Sequence, residues 1–198
     1  MGKAVTNKLF VITGASGTGK TTISHYLRDN YGIQRVLTHT TRPPRPNEAN
    51  ERDYYFETED GFQKNHYIES VTYSGYHYGS SREALQKAWQ QQPFVSLVLE
   101  TKGAEAYADV MLKQLVVIYV TVSDPQVLLA RLEKRGDVPA EIEKRLSSAE
   151  FKRDLEVPPA LVNIAHVIVN DTWEQARAQV DQLLKLAVKS DLKLNANK

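Results

Sequence analysis

The segment GASGTGKT, Gly14 to Thr21, constrains this chain more than any other stretch of it. It fits G-x-x-x-x-G-K-[ST], the pattern of a loop whose backbone N–H groups wrap a phosphate. Directly before it stands KLFVIT, Lys8 to Thr13, a short branched apolar run of the kind expected of a strand buried on both faces in a parallel sheet. Directly after it the period changes: from Gly19 to Asn30 the apolar Ile23, Tyr26 and Leu27 fall at i, i+3 and i+4, and Gly32 stands just beyond as a stop signal. Strand, glycine turn and helix, in that order, are the context in which such a loop binds an anion. The helix N-terminus adds partial positive charge, Lys20 has the reach to meet β/γ oxygens, and the Thr21 hydroxyl is the candidate ligand for Mg²⁺.

Two more runs, Phe94–Leu99 and Leu115–Val122, have the same buried-strand character. Helical stretches follow them: Ala104–Leu112, then Pro125–Arg135 with Asp124 as N-cap and Pro125 at the first helical position. A fourth run, His166–Val169, precedes a helical period over Thr172–Val188. Strands alternating with helices imply right-handed parallel crossovers, so the expected fold is a three-layer α/β core around a parallel sheet. The core is expected over 1–37, 81–135 and 158–188 of a single domain, with a tail at 189–198 that lacks an apolar face and reads as frayed or disordered.

Composition narrows the function classes. The 25 Lys+Arg nearly balance the 24 Asp+Glu, a formal charge of +1, so any anion site must be built locally and a dedicated nucleic-acid binder is not expected. The absence of cysteine excludes disulfides and thiolate metal sites and fits a reducing cytoplasm. The N-terminal apolar run, Leu9–Ile12, is far short of a targeting or membrane-spanning segment. Five scattered histidines show no metal-ligand spacing, and no Ser-His-Asp or Cys-His set presents itself.

Two segments interrupt the alternation. Residues 38–80 hold THTTRPPRPNEANERDYYF, too rich in Pro, Arg and Asn for core, and YIESVTYSGYHYGSS, a Gly-punctuated aromatic stretch with the look of a hairpin. Arg42 and Arg45 stand three apart on a proline-stiffened segment, where two guanidinium forks suit a second phosphate. Tyr54, Glu69, Tyr78 and Ser80 add two phenols, a carboxylate acceptor and a hydroxyl, the groups that close on a phosphate and read a base edge bearing N–H donors. Residues 136–157 form a charged helical stretch between the last two strand–helix units.

GASGTGKT, THTTRPPRPNEANERDYYF, YIESVTYSGYHYGSS, RLEKRG and VIVND, in that order, resemble guanylate kinases from about Lys8 to about Leu186. The resemblance implies an ATP-dependent phosphorylation of GMP to GDP in purine nucleotide metabolism, a mixed α/β insertion at 38–80 that binds GMP, and a helical lid at 136–157. It implies ATP on Gly14, Ala15, Ser16, Gly17, Thr18, Gly19, Lys20, Thr21 and Thr22, with Mg²⁺ at Thr21 and Asn170 near the adenine. Arg42, Arg45, Tyr54 and Tyr78 would hold the GMP phosphate, and Thr38, Glu69, Ser80 and Glu100 would face the guanine. Lys20 and Arg42, with Arg131, Arg135 and Arg145 of the lid region, would carry the transferring charge. The implied partners are the two nucleotides alone, in a cytoplasmic monomer or homodimer. The chain departs from the family where Val98, Glu100 and Lys102 stand in place of two aspartates and a glutamine. Two other readings stay open: a kinase of the same fold for another phosphorylated small molecule such as a ribose phosphate, which that departure motivates, and a non-catalytic guanylate-kinase-like binding module.

Overall fold

Alternation within a single strand explains the layers. In β1 (Lys8–Thr13), Leu9 and Val11 face one way and Phe10 and Ile12 the other, and all four are buried. Phe10 and Ile12 pack with Ile118, Val120 and Ile168 against Ile23 and Leu27 of α1 (Lys20–Tyr31) and Ala176, Val180 and Leu184 of α8 (Trp173–Leu194). Leu9 and Val11 pack with Val95, Leu97 and Val117 against Leu85 of α3 (Arg82–Gln91) and Ala104 and Tyr107 of α4 (Thr101–Met111). The computed structural model, which describes residues 6–44, 48–73, 75–134, 136 and 138–194, is therefore a three-layer α/β/α fold.

The main sheet is parallel, in the order β2 (Gln34–Arg35), β7 (Phe94–Val98), β1, β8 (Leu115–Thr121), β9 (Ala165–Val169). With β1 at its centre, the loop after Thr13 lies at the carboxyl ends of the strands, where parallel α/β sheets place their ligands. A smaller sheet, in the order β4 (Tyr55–Phe56), β3 (His39–Thr40), β6 (Tyr76–Ser81), β5 (Tyr67–Tyr73), holds the aromatic stretch, with β5 and β6 an antiparallel hairpin. A short helix, α2 (Glu59–Phe62), precedes the hairpin. Helices α5 (Val127–Lys134), α6 (Pro139–Ser147) and α7 (Ala149–Arg153) lie between β8 and β9. No helix among the described residues is long and apolar enough to cross a membrane.

Several local readings differ from the expected ones. Helix α5 begins at Val127, because Asp124 and Pro125 form a turn ahead of it in which Asp124 Oδ1 accepts from Gln126 N at 2.9 Å. The backbone of α8 stays helical to Leu194, past the point where the apolar period ends, since a polar helix end continues as long as its backbone bonds do. The two-residue strands β2, β3 and β4 are too short to show a period. Replacing the fully buried Ile118 by Ala should lower unfolding free energy by about 2–5 kcal/mol, read as a fall in urea midpoint at constant slope, while Val110→Ala on the exposed side of α4 stays within about 0.5 kcal/mol of the parent.

Candidate functional site

The loop after β1 is held by its own main chain. A Cβ at Gly14, where φ is 125°, would lie 2.2 Å from Val120 O in the neighbouring strand, and one at Gly19, where φ is 101°, would lie 2.3 Å from Asn170 Nδ2. Only glycine lets the backbone run this close. Lys20 Nζ donates to Gly14 O at 2.6 Å and Ala15 O at 2.8 Å, closing the loop on itself. Thr18 Oγ1 donates to Ala15 O at 2.8 Å, and the buried Asn170 donates from Nδ2 to Thr18 O at 2.7 Å. Arg131 of α5 donates in turn to Asn170 O at 2.9 Å. Asn170 and Arg131 thus stand behind the loop and support it. Ser16, Gly17 and Thr22 lie on the loop and first turn of α1, with Thr22 exposed. Ala15 is buried in an apolar cluster with Val122, Leu128 and Phe151, which ties the loop to the base of α5 and α7.

The small sheet supplies the second half. Thr40 Oγ1 donates to His77 O at 2.9 Å, and His77 N donates to Thr41 Oγ1 at 3.0 Å, so the segment entering the proline stretch is pinned to β6. Arg42 emerges there with its guanidinium 5.7 Å from the centre of the Tyr54 ring, and its charge pulls the Tyr78 phenol down while burial pushes it up more strongly. Arg42 Nη2 meets both carboxylate oxygens of Glu48, at 3.0 and 2.7 Å. Ser80 Oγ donates to Glu69 Oε1 at 2.8 Å and accepts from Tyr107 of α4 at 2.9 Å. Burial pushes the Glu69 carboxyl up to about 7, the charge of Glu100 adds to the rise, and the Ser80 hydrogen bond opposes it. A small cavity of about 80 Å³ joins the halves, lined by Thr21 from α1, Thr38 and Tyr54 from the insertion, and Arg35, Val36, Leu97 and Val98. Arg45 and Arg135 lie outside the described residues, and Arg145 is half-buried on α6.

Three groupings have no signal in the sequence. At the end of β7, Glu100 lies within 3.5 Å of Arg153 of α7, and Arg153 Nε also donates to Thr101 Oγ1 at 3.1 Å and to Asp154 Oδ1 at 2.9 Å. Thr101 donates to the same Asp154 oxygen, and Tyr119 donates to Asp154 O at 2.8 Å. Burial raises the Glu100 carboxyl and Asp154 adds to the rise, against the charges of Arg153 and Lys20. Lys102, by contrast, is exposed on the first turn of α4. The second grouping is His39, whose Nδ1 meets Glu57 Oε1 and whose Nε2 meets Ser81 Oγ, each at 2.8 Å. The set looks like a nucleophile triad, but Ser81 is fully buried and accepts from Ala84 N as the cap of α3, so it pins the small sheet to the core. The third is Arg35, in the cavity wall.

Metal chemistry has one natural seat. Among the described residues no three His, Cys, Asp or Glu side chains converge to form a cage. Mg²⁺ in phosphoryl-transfer sites takes one or two protein oxygens and completes its shell with phosphate and water, and the exposed Thr21 hydroxyl at the cavity edge fits that donor set.

A glycine loop at the carboxyl end of a parallel sheet, faced by an arginine and phenol cluster beside a second sheet, defines a P-loop NTPase fold. The guanylate kinase family model matches residues 6–187. The guanylate kinase of a Thermus thermophilus strain is 32% identical over 213 aligned positions that span 98% of this chain and 93% of that one. Human guanylate kinase is 33% identical over 188 positions, covering 90% and 93%. The solved guanylate kinase of Anaplasma phagocytophilum shares the fold, with a TM-score of 0.64 at 22% identity over 93% of this chain and 87% of its own. The chain belongs to the guanylate kinase family.

Glu69 gives this site a pH signature. Because its folded pKa is raised from an ordinary value of 4.5 to about 7, its contribution to stability is present below pH 4.5 and is lost as pH rises through about 7. Without added nucleotide, denaturation of the parent minus that of Glu69→Gln should decline across this window by up to about 3 kcal/mol; a flat difference would contradict the assigned environment.

Proposed function

We propose that this chain transfers the γ-phosphoryl group of ATP to GMP, yielding ADP and GDP. The observation that carries the reading is the hydrogen-bonded pair of Glu69 and Ser80, a buried acceptor and hydroxyl on the same small sheet as Tyr78, with Arg42 following β3 and Tyr54 preceding β4. A carboxylate there accepts from the ring and exocyclic N–H groups of guanine, with Thr38 and Glu100 flanking. A ribose phosphate has no use for such a pair, and a module that only binds has no use for Lys20 and Thr21.

In this reading ATP lies along Gly14–Thr22 with Asn170 behind the loop, and Arg42, Arg45, Tyr54 and Tyr78 orient the acceptor phosphate. An oxygen of that phosphate attacks the γ-phosphorus in line as the bond to the bridging oxygen of ADP breaks. Lys20 exchanges its two carbonyl partners for phosphate oxygens, and Arg131, Arg135 and Arg145 spread the charge that develops. The Thr21 hydroxyl would hold Mg²⁺, which when bound would supply charge neutralisation of the phosphates. The insertion at 38–80 and the helices of 136–157 close toward each other and exclude water that would otherwise hydrolyse ATP.

A coupled ADP-release assay across GMP, dGMP, AMP, UMP, CMP and ribose phosphates tests the reading, with guanine acceptors expected to dominate; turnover of another acceptor in preference to GMP would overturn it. Lys20→Ala should lower kcat by about 10²–10³ with circular dichroism unchanged. Binding of GMP near pH 7 should release a proton, because the guanine donors stabilise the Glu69 carboxylate and lower its raised pKa. Calorimetric enthalpies measured in buffers of different ionisation heat should vary for the parent and not for Glu69→Gln, whose KM for GMP rises by about 10–100-fold while KM for ATP holds.

A further inference from the structure

We propose that Arg35 is a further binding residue for the acceptor nucleotide, a cation for its phosphate placed where the donor and acceptor halves meet. Strand β2 lies at the sheet edge with Arg35 opposite Ser96 of β7, and Val36 N continues the ladder to Ser96 O at 2.7 Å. Val36 packs into the core on the α3 and α4 side, so by alternation Arg35 comes to the opposite face, that of α1. Val98, on the neighbouring strand, packs on that same α1 face. Arg35 is the one charged side chain among the described residues of the cavity wall, beside the hydroxyls of Thr21 and Thr38 and the ring of Tyr54. A cavity lined by a guanidinium and hydroxyls, with a valine where a carboxylate would cancel the charge, is suited to an anion.

Arg35 and Arg42 bracket one aromatic ring, at 5.8 and 5.7 Å from the centre of Tyr54. Their commitments differ. Arg42 already holds the Glu48 carboxylate, which an incoming phosphate has to displace. The hydrogen bond of Arg35 among the described residues runs from Nη2 to the backbone carbonyl of Asp53, an anchor that leaves the rest of the fork for a ligand. The nearby Asp53 carboxylate is itself taken by Arg52 and by Ala49 N. Among the described residues no salt bridge holds Arg35 back from a phosphate on Tyr54, although its charge does help to lower the Asp53 carboxyl.

The inference rests on the reading of Arg42, Tyr54 and Tyr78 as the acceptor-phosphate seat, and the test separates the two. Affinities for GMP and for guanosine, which lacks the phosphate, are measured by calorimetry and competition on the parent, Arg35→Met, Arg35→Lys and Arg42→Met. Arg35→Met should weaken GMP about tenfold or more, leaving guanosine affinity, KM for ATP and the unfolding midpoint unchanged. Arg35→Lys should recover part of the loss, since it restores the charge without the fork. Equal weakening of GMP and guanosine would mean that Arg35 only shapes the pocket, and an unchanged GMP affinity would mean that it does not contact the phosphate; either overturns the proposal. If Arg35→Met does not fold, Arg35→Lys decides alone: an unchanged GMP-to-guanosine affinity ratio overturns it. If Arg42→Met also keeps full GMP affinity, the seat itself is misread; if Arg42→Met loses it and Arg35→Met does not, only the role of Arg35 fails.

Discussion

Between Gly14 and the carbonyl of Val120 there is no room for a methyl group, and between Gly19 and the amide of Asn170 there is none either. The loop after the central strand is therefore pressed into the carboxyl end of the sheet by its own backbone, and everything around it is arranged to keep it there. Asn170 at the end of β9 holds Thr18 O, Arg131 holds Asn170 O, and Ala15 is packed under Leu128 and Phe151. Lys20 completes the arrangement by committing its ammonium to two loop carbonyls. A phosphate in this loop takes over bonds that are already oriented, so little reorganisation accompanies the charge transfer.

The rest of the cleft is a problem of charge. The chain as a whole carries only +1, yet its cleft sets Lys20, Arg35, Arg42 and Arg153 among Glu48, Glu69, Glu100 and Asp154. Burial disfavours the charged form of Glu69 and of Glu100, and a neighbouring carboxylate disfavours it further. Glu69 and Glu100 are raised for both reasons, which leaves Glu69 poised near neutrality and sensitive to any donor that arrives. Arg42 shows the opposite solution, an arginine fork resting on a carboxylate that resembles, in shape and charge, the group it is proposed to bind.

How much of this is legible in the sequence follows from which signals are local. The run Lys8–Thr13, the glycine loop and the helix after it coincide with β1, the loop and α1, because period, glycine spacing and capping all act within a few residues. The hairpin of 67–81 is visible for the same reason. The two-residue strands are not, since their pairing is imposed by neighbours distant in sequence. Among the expected site residues, Tyr78, Glu69 and Ser80 lie on the small sheet, and Arg42 and Tyr54 lie on the segments next to β3 and β4. Arg35, Arg153 and Asp154 sit in stretches that look like ordinary charged surface, and only the crossing of β2 beside β7, and of α7 beside the end of β7, gives them partners. Likewise His39, Glu57 and Ser81 are too far apart in the chain to suggest a cluster, and their burial marks it as structural.

The cluster on Asp154 bears on how the two halves communicate. Arg153 ends the last helix of the 136–157 segment, and its guanidinium lies 3.5 Å from Glu100, just past the end of β7. Thr101, the first residue of α4, is bound to the same Asp154 oxygen, and Tyr107 of that helix reaches Ser80 beside Glu69. A movement of α7 is resisted by the buried Thr101–Asp154 contact, because breaking it would take one of its partners from a buried carboxylate and leave it to Arg153. The displacement must pass either into α4, and through Tyr107 to the Ser80–Glu69 pair, or into α5 and α6, which carry Arg131 and Arg145. Helix α6 is mostly exposed, with Ile142 its buried residue, whereas Thr101 and Asp154 are buried. On the proposed reading, closure is thus directed to the segment bearing Arg131 and Arg145, while Glu69 and Glu100 keep their places.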